Sequence, residues 1–204
     1  MNDQIRDQYN SIYSSEDNIF DDVPVDVVTR LFKYIASGSV LDVGGGVGRN
    51  ALYLAKRGYD VSIFDISEVG IDKLNLSAKE KGLNISTKVV DITKEGIGNM
   101  YDAIINTSVL HHIDTESTKK IIGDMQSHTN IGGVNIIVTF SDNGDLYERA
   151  KKSGRFYPSE EIMREIYSEW KIKELYSYKT ISLAKDKKGE RMRNNLVAII
   201  AIKN

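Results

Sequence analysis

Four glycines fall within five residues, Gly44-Gly45-Gly46-Val47-Gly48, between the short apolar run Ser39 to Val43 and a stretch that takes up helical spacing at Asn50. A strand running through glycines into a helix lets a ligand approach bare backbone, with amide groups at the helix start turned towards it. In open α/β sheets the carboxyl end of such a strand is where ligands are held. Two carboxylates share that sheet edge. Asp65 ends the next apolar run, Val61 to Phe64, 21 residues after Gly44, and Asp91 ends the one after, Ile85 to Val90. Asp65 can accept hydrogen bonds from both hydroxyls of a ribose and would repel a 2′-phosphate, which disfavours NADP. Asp91 can accept from an adenine amino group. The dinucleotide spacing G-x-G-x-x-G is met only in part: counted from Gly44 the third position is Arg49, and from Gly46 it is Ala51, the permitted small variant. NAD and S-adenosylmethionine both present the ribose that Asp65 suits. For Asp42, just ahead of the loop, ligand contact and capping of local amides are equal readings.

His111-His112 is the other pair with chemical reach. Adjacent residues of an extended strand point to opposite sides, and neither an H-E-x-x-H pattern nor a third nearby ligand accompanies them, so no metal site is expected. The segment follows a fourth apolar run, Tyr101 to Thr107, which would put one of the two at a substrate pocket. Arg191 and Arg193 fall in a charged stretch, Ala184 to Asn194, where solvated charge is the ordinary reading. Tyr167 and Trp170, at helical spacing, read as core packing.

The elements that must position these groups alternate. Strands are expected at Ser39–Val43, Val61–Phe64, Ile85–Val90, Tyr101–Thr107 and Val134–Phe140. Helices are expected between them: Asn50 to Arg57, a stretch capped by Ser67 that carries Ile71, Leu74 and Ala78, and one capped by Asp114 that carries Ile121, Ile122 and Met125. That alternation argues for an α/β fold, a parallel sheet with helices on both faces. An earlier helix should start near Pro24 with Val27, Val28, Leu31, Phe32 and Ile35 on one face. Residues 1–22, polar with Tyr9, Tyr13 and Phe20, read as a short helix or ordered arm. Ser141 to Phe156 has no clear period and reads as a long loop. Ser159 to Trp170 reads as a helix. Ile172–Ser182 and Asn195–Ile202 make a hairpin that would finish the sheet antiparallel.

The 204 residues suit one domain, 1–204, with a sizeable core. A net charge of −2, from 27 basic and 29 acidic residues, gives no support to a nucleic-acid or anionic-membrane partner. Without cysteine there is no disulfide framework and no Cys-held metal. No signal-peptide stretch opens the chain, and the longest apolar run, Leu196 to Ile202, is too short to span a bilayer, so a cytoplasmic location is expected.

Asp42-x-Gly44-x-Gly46-x-Gly48, with Asp65 and Asp91 at the next strand ends, resembles class I S-adenosylmethionine-dependent methyltransferases. Leu41 to Val61 (LDVGGGVGRNALYLAKRGYDV), Met125 to Val138 and Glu161 to Asn204 are similar to the tellurite-resistance methyltransferase family, TehB. The resemblance implies a Rossmann-like, seven-stranded sheet of order 3-2-1-4-5-7-6, mainly parallel, with the last strand antiparallel. It implies transfer of a methyl group from S-adenosyl-L-methionine, leaving S-adenosyl-L-homocysteine, to a small acceptor such as tellurite, selenite or a thiol, by a monomer or homodimer. Gly44, Gly46 and Gly48 would pass under the methionine part, and Asp65 would hold the ribose with Ile66 beside the adenine. Asp91 and Ile92 would meet the adenine edge, Asn106 would lie near the methyl group and Tyr13 would close over the cofactor. His111 and Arg191 are the catalytic candidates. The chain departs from the family in its final hairpin: the family's histidine position falls near Leu183, and no histidine follows His128, which leaves the acceptor open. An NAD-dependent oxidoreductase and a non-catalytic cofactor-binding protein are the other readings.

Overall fold

The computed structural model describes residues 3–15, 23–185 and 189–204, with the side chains of 182–185 set apart; Phe20 of the arm and the side chain of Leu183 lie outside the described residues. In chain order the elements are α1 (Asp3–Ser14), a 3-10 helix (Val28–Lys33), β1 (Ser39–Val43), α2 (Arg49–Lys56), β2 (Asp60–Asp65), α3 (Glu68–Glu80), β3 (Ile85–Val89) and β4 (Tyr101–Thr107). There follow a 3-10 turn (Leu110–His112), α4 (Thr115–Ser127), β5 (Thr129–Gly144), α5 (Asp145–Ala150), α6 (Glu160–Ile166), β6 (Lys171–Lys185) and β7 (Arg191–Ile202). One seven-stranded sheet has the order β3-β2-β1-β4-β5-β7-β6. Strands β1 to β5 pair in parallel, and β7 runs antiparallel to both β5 and β6. The implied order and the single reversed strand are both present.

The central strands are apolar on both faces because helices cover both. Leu41, Val43, Ile104, Ile137, Val197 and Ile199 belong to one core, while Val40, Ala103, Ile105, Ile136, Ala198 and Ile200 belong to the other. That period of two within continuous apolar runs is the signature of a sheet buried on both sides. Helix starts are fixed by side-chain caps: the Ser67 hydroxyl accepts from the Gly70 N–H at 3.0 Å and the Asp114 carboxylate from the Ser117 N–H at 2.9 Å. Tyr167 is fully buried and donates its hydroxyl to Asn135 at 3.0 Å, so it is core, as its spacing indicates.

Several elements differ from the sequence reading. The apolar face after Pro24 forms a 3-10 helix of 6 residues, and the helix expected to reach Trp170 stops at Ile166. Ser141 to Phe156 is not a long loop: β5 continues to Gly144 and α5 follows. The segment fastens to β7 by polar bonds: the Arg193 N–H donates to the Asp145 carboxylate at 2.7 Å and the Leu146 N–H to the Asn194 side chain at 2.8 Å. An element held by polar bonds carries no apolar period. The hairpin strands are also longer than expected, so Arg191 and Arg193 lie on β7 and not in a loop. His111 and His112 sit on the 3-10 turn, and the opposite-sides rule for strands does not apply to them. No helix of the described residues is long and apolar enough to cross a membrane.

Candidate active site

The carboxyl ends of β1, β2 and β4 open into a cavity of about 930 Å³. Its floor is the glycine loop. The Gly44 N–H reaches back to the Phe64 carbonyl at 2.6 Å, which folds the loop across the β1–β2 edge. Gly44, Gly46 and Gly48 have φ of 73°, 56° and 86°, the left-handed region that side chains resist. A Cβ on Gly44 would collide with Val109, and one on Gly46 with the Tyr13 hydroxyl. Gly48 plays another part: it caps α2, and a Cβ there would drive into Leu74 of the core.

Asp65 stands at the lip of this floor, almost fully buried. One carboxylate oxygen accepts the Gly46 N–H at 2.7 Å and the other the Ser67 N–H at 2.8 Å. Burial raises its carboxyl, and those backbone bonds oppose the rise. Each oxygen keeps a second lone pair for a ligand hydroxyl. Ile66, Phe64, Val90 and Ile92 line the cavity beside it as an apolar slot. Asp42 is fully buried, next to the Cβ position of Gly45, and neither of its carboxylate oxygens has a hydrogen-bond partner of ordinary geometry. Burial pushes its carboxyl up to about 7, against the pull of the nearby Arg49 guanidinium. Asn106 donates from Nδ2 to the Val43 carbonyl at 2.9 Å and leaves its Oδ1 buried without a partner.

Helix α1 lies across the opening, with Gln8, Tyr9 and Tyr13 among the lining residues. Asn10 accepts from the Ser67 hydroxyl at 2.6 Å, and the Tyr13 ring packs on the Cα of Gly70. The Tyr9 hydroxyl bonds His112 Nε2 at 2.7 Å. Burial, with the Asp65 charge nearby, pushes the Tyr9 phenol up to about 12 and that of Tyr13 higher still.

The far end of the cavity is walled by side chains. The His111 ring stacks on His112 with centroids 3.9 Å apart and meets Phe140 edge-on at 4.5 Å. Burial holds His112 down at about 4 and His111 well below its usual value, so both imidazoles are neutral at pH 7. Their Nδ1 atoms are buried without partners. Arg155, Tyr157, Tyr178, Met192 and Leu196 complete this wall. Ser108, between β4 and the turn, has φ of 61°, a strained backbone position for a non-glycine residue.

Of the residues picked out by sequence, Tyr13, Gly44, Gly46, Asp65, Ile66, Ile92 and His111 line the cavity. Asp42, Gly48 and Asn106 support it from beneath. Asp91 turns aside: its carboxylate accepts the Thr93 hydroxyl at 2.6 Å and the Thr93 N–H at 3.1 Å. Burial works against it, but those bonds hold it below the usual carboxylate range. Arg191 is exposed and outside the lining, because alternation along β7 turns Met192 inward instead. Tyr9, Arg155, Tyr157 and Met192 carried no motif to single them out.

A family model described as tellurite resistance protein TehB matches residues 6–200. A probable S-adenosyl-L-methionine-dependent methyltransferase TehB from Haemophilus influenzae is 37% identical over 172 residues, 84% of this chain and 59% of that relative. The chain thus spans about 59% of the length of that curated relative. The crystal structure of TehB from Haemophilus influenzae superposes with a TM-score of 0.78 at 30% identity, over 98% of this chain and 67% of that one. Magnesium protoporphyrin IX methyltransferase from Synechocystis shares the fold, with a TM-score of 0.71 at 20% identity over 99% of each chain. The sheet order, the glycine floor and the match along almost the whole length agree: the chain belongs to the TehB family.

Proposed function

We propose that this chain transfers a methyl group from S-adenosylmethionine to a small acceptor. The observation that carries the reading is the pairing of bare backbone at Gly44–Gly46 with the Asp65 carboxylate, at the mouth of a cavity whose far end is walled by side chains. The residues fit the cofactor: the glycine floor leaves room for its amino-acid part, Asp65 would hold the ribose hydroxyls, and the slot of Ile66 and Ile92 would take the adenine. The orphaned carboxylate of Asp42 and the orphaned Oδ1 of Asn106 are buried acceptors beneath the same floor. When bound, the cofactor supplies a methyl group that its sulfonium already makes electrophilic.

The chain therefore has to align, exclude water and manage a proton. Helix α1, tied down by Tyr9 and Asn10, covers the site. His111 and His112, neutral at pH 7, can accept a proton from an acceptor that carries one. A soft anion such as tellurite, selenite or a thiolate needs no such base. Arg155 and Arg49, guanidiniums among the lining residues, can supply positive potential for an anionic acceptor, whereas Arg191 lies outside the lining. Isothermal titration with S-adenosylhomocysteine tests the reading: micromolar binding is expected, and no heat at millimolar ligand would end it.

A further inference from the structure

The far end of the cavity has a chemistry of its own. His111, Phe140 and Tyr157 form an aromatic corner, with ring centroids 4.5 Å apart for His111–Phe140 and 6.3 Å for His111–Tyr157. Met192 adds an apolar side. Arg155 is an exposed residue at the edge whose side chain bonds the Tyr157 phenol, and it forms no ion pair among the described residues. Its backbone is fixed against the 3-10 turn by a bridge to Asp114, and the next residue's N–H bonds the Ile113 carbonyl at 3.0 Å. Asp65 is the acidic residue among the described lining residues, and it lies at the opposite end.

We infer that the acceptor end takes a small organic acid, with a ring-sized apolar body against His111, Phe140 and Tyr157, a carboxylate on Arg155, and a separate thiol, amine or hydroxyl that takes the methyl group as the methyl–sulfur bond breaks and gives its own proton to a neutral imidazole of His111 or His112. This rests on the methyl-transfer reading and names the acceptor's class within it. A guanidinium presents a planar fork that matches a carboxylate, and aromatic edges and faces suit a flat apolar body. A bare inorganic oxyanion has no apolar body to cover Phe140, Met192 and the ring faces. The two imidazoles, neutral at pH 7, add no positive charge that would favour a compact dianion.

The test is calorimetric, on the protein saturated with S-adenosylhomocysteine. Benzoate and phenylacetate are titrated beside the neutral isostere benzamide and beside tellurite and selenite. At least tenfold tighter binding of one carboxylate than of benzamide is expected. Arg155→Gln should lose that preference while S-adenosylhomocysteine affinity holds, and Arg155→Lys, which keeps charge without the fork, should retain part of it. Equal binding of the carboxylates and benzamide, an Arg155→Gln protein that keeps the preference, or tellurite outbinding both carboxylates would each overturn the proposal. Failure of S-adenosylhomocysteine to bind at all overturns the cofactor reading, and this inference with it; binding of that ligand with no carboxylate preference overturns the inference alone.

Discussion

At the glycine end of the cavity the wall is main chain: Gly44, Gly45 and Gly46 folded under the Asp65 carboxylate. At the other end it is side chain: His111, Phe140, Arg155, Tyr157 and Met192, drawn from the 3-10 turn, β5, the segment after α5, and β7. A main-chain wall cannot be altered one group at a time, because its shape is set by backbone dihedrals and by the sheet that anchors it. A side-chain wall can change residue by residue while the sheet stays as it is. One end is thus suited to a ligand common to many relatives, and the other to an acceptor that varies among them.

The largest effect should come from putting a side chain on the backbone floor. Gly44→Val combines an unfavourable left-handed φ with a collision against Val109. Loss of S-adenosylhomocysteine affinity by more than about 100-fold, or roughly 3 kcal/mol, is expected by titration. Phe140→Ala, at the side-chain end, should leave that affinity within about threefold. Equal losses in the two variants would erase the distinction between the ends. Asp65→Ala removes the acceptor of the Gly46 and Ser67 amides along with the proposed ribose contact. It should cost about 10- to 100-fold in affinity and about 1–3 kcal/mol in stability, read by titration and by urea unfolding.

The two ends also titrate in opposite senses. The unfolded chain takes up a proton on His112 near pH 6.5, whereas the folded chain refuses it until about 4; burial shifts His111 in the same direction. Stability from this end therefore falls as pH drops from 6.5 towards 4. Asp42 runs the other way: folded, it holds a proton up to about 7, while the unfolded carboxyl gives it up near 3.8. Its contribution falls as pH rises through that window. His112 and Asp42 are each worth on the order of a few kcal/mol. His112→Asn should flatten the acid side of the Tm–pH profile, and Asp42→Asn should remove the loss on the way up to pH 7. An unchanged profile in either variant would mean that the group is not buried in the charge state argued for it.

The same contrast explains what the sequence makes legible. Gly44, Gly46 and Asp65 are visible because a strand end, a glycine cluster and a carboxylate fall at fixed spacing along a short piece of chain. The central strands are visible for a related reason, since strands buried on both faces read as unbroken apolar runs; their order comes with the family resemblance and not from those runs. Arg155 and Tyr157 are invisible: they come from a polar segment with no period, and the bonds of Asp145 and Leu146 to β7, together with the Asp114 bridge, bring that segment to the cavity. Arg191 shows the error that follows from misjudging a strand boundary. With β7 beginning at Arg191 itself, alternation puts Met192 inside and Arg191 outside. Asp91 lies outside the cavity lining, with one carboxylate oxygen accepting from the Thr93 N–H and hydroxyl, a local bond that strand position alone does not reveal.

The smallest expected effect concerns the helix that spans both ends. Tyr13 of α1 lies over Gly46, while Tyr9, one helical turn earlier, bonds His112 across the cavity at 2.7 Å. Tyr9→Phe keeps the ring and removes that hydrogen bond. It leaves His112 Nε2 without its phenol partner and loosens α1 at the acceptor end only. A stability cost of about 1 kcal/mol follows from the lost bond, read by urea unfolding. The dissociation rate of S-adenosylhomocysteine should rise severalfold, because leaving the glycine floor requires α1 to lift. Stopped-flow release separates the possibilities: a faster off-rate with an unchanged on-rate means α1 acts as a cover held from the acceptor side, whereas an unchanged off-rate means Tyr13 alone holds it and the two ends work independently.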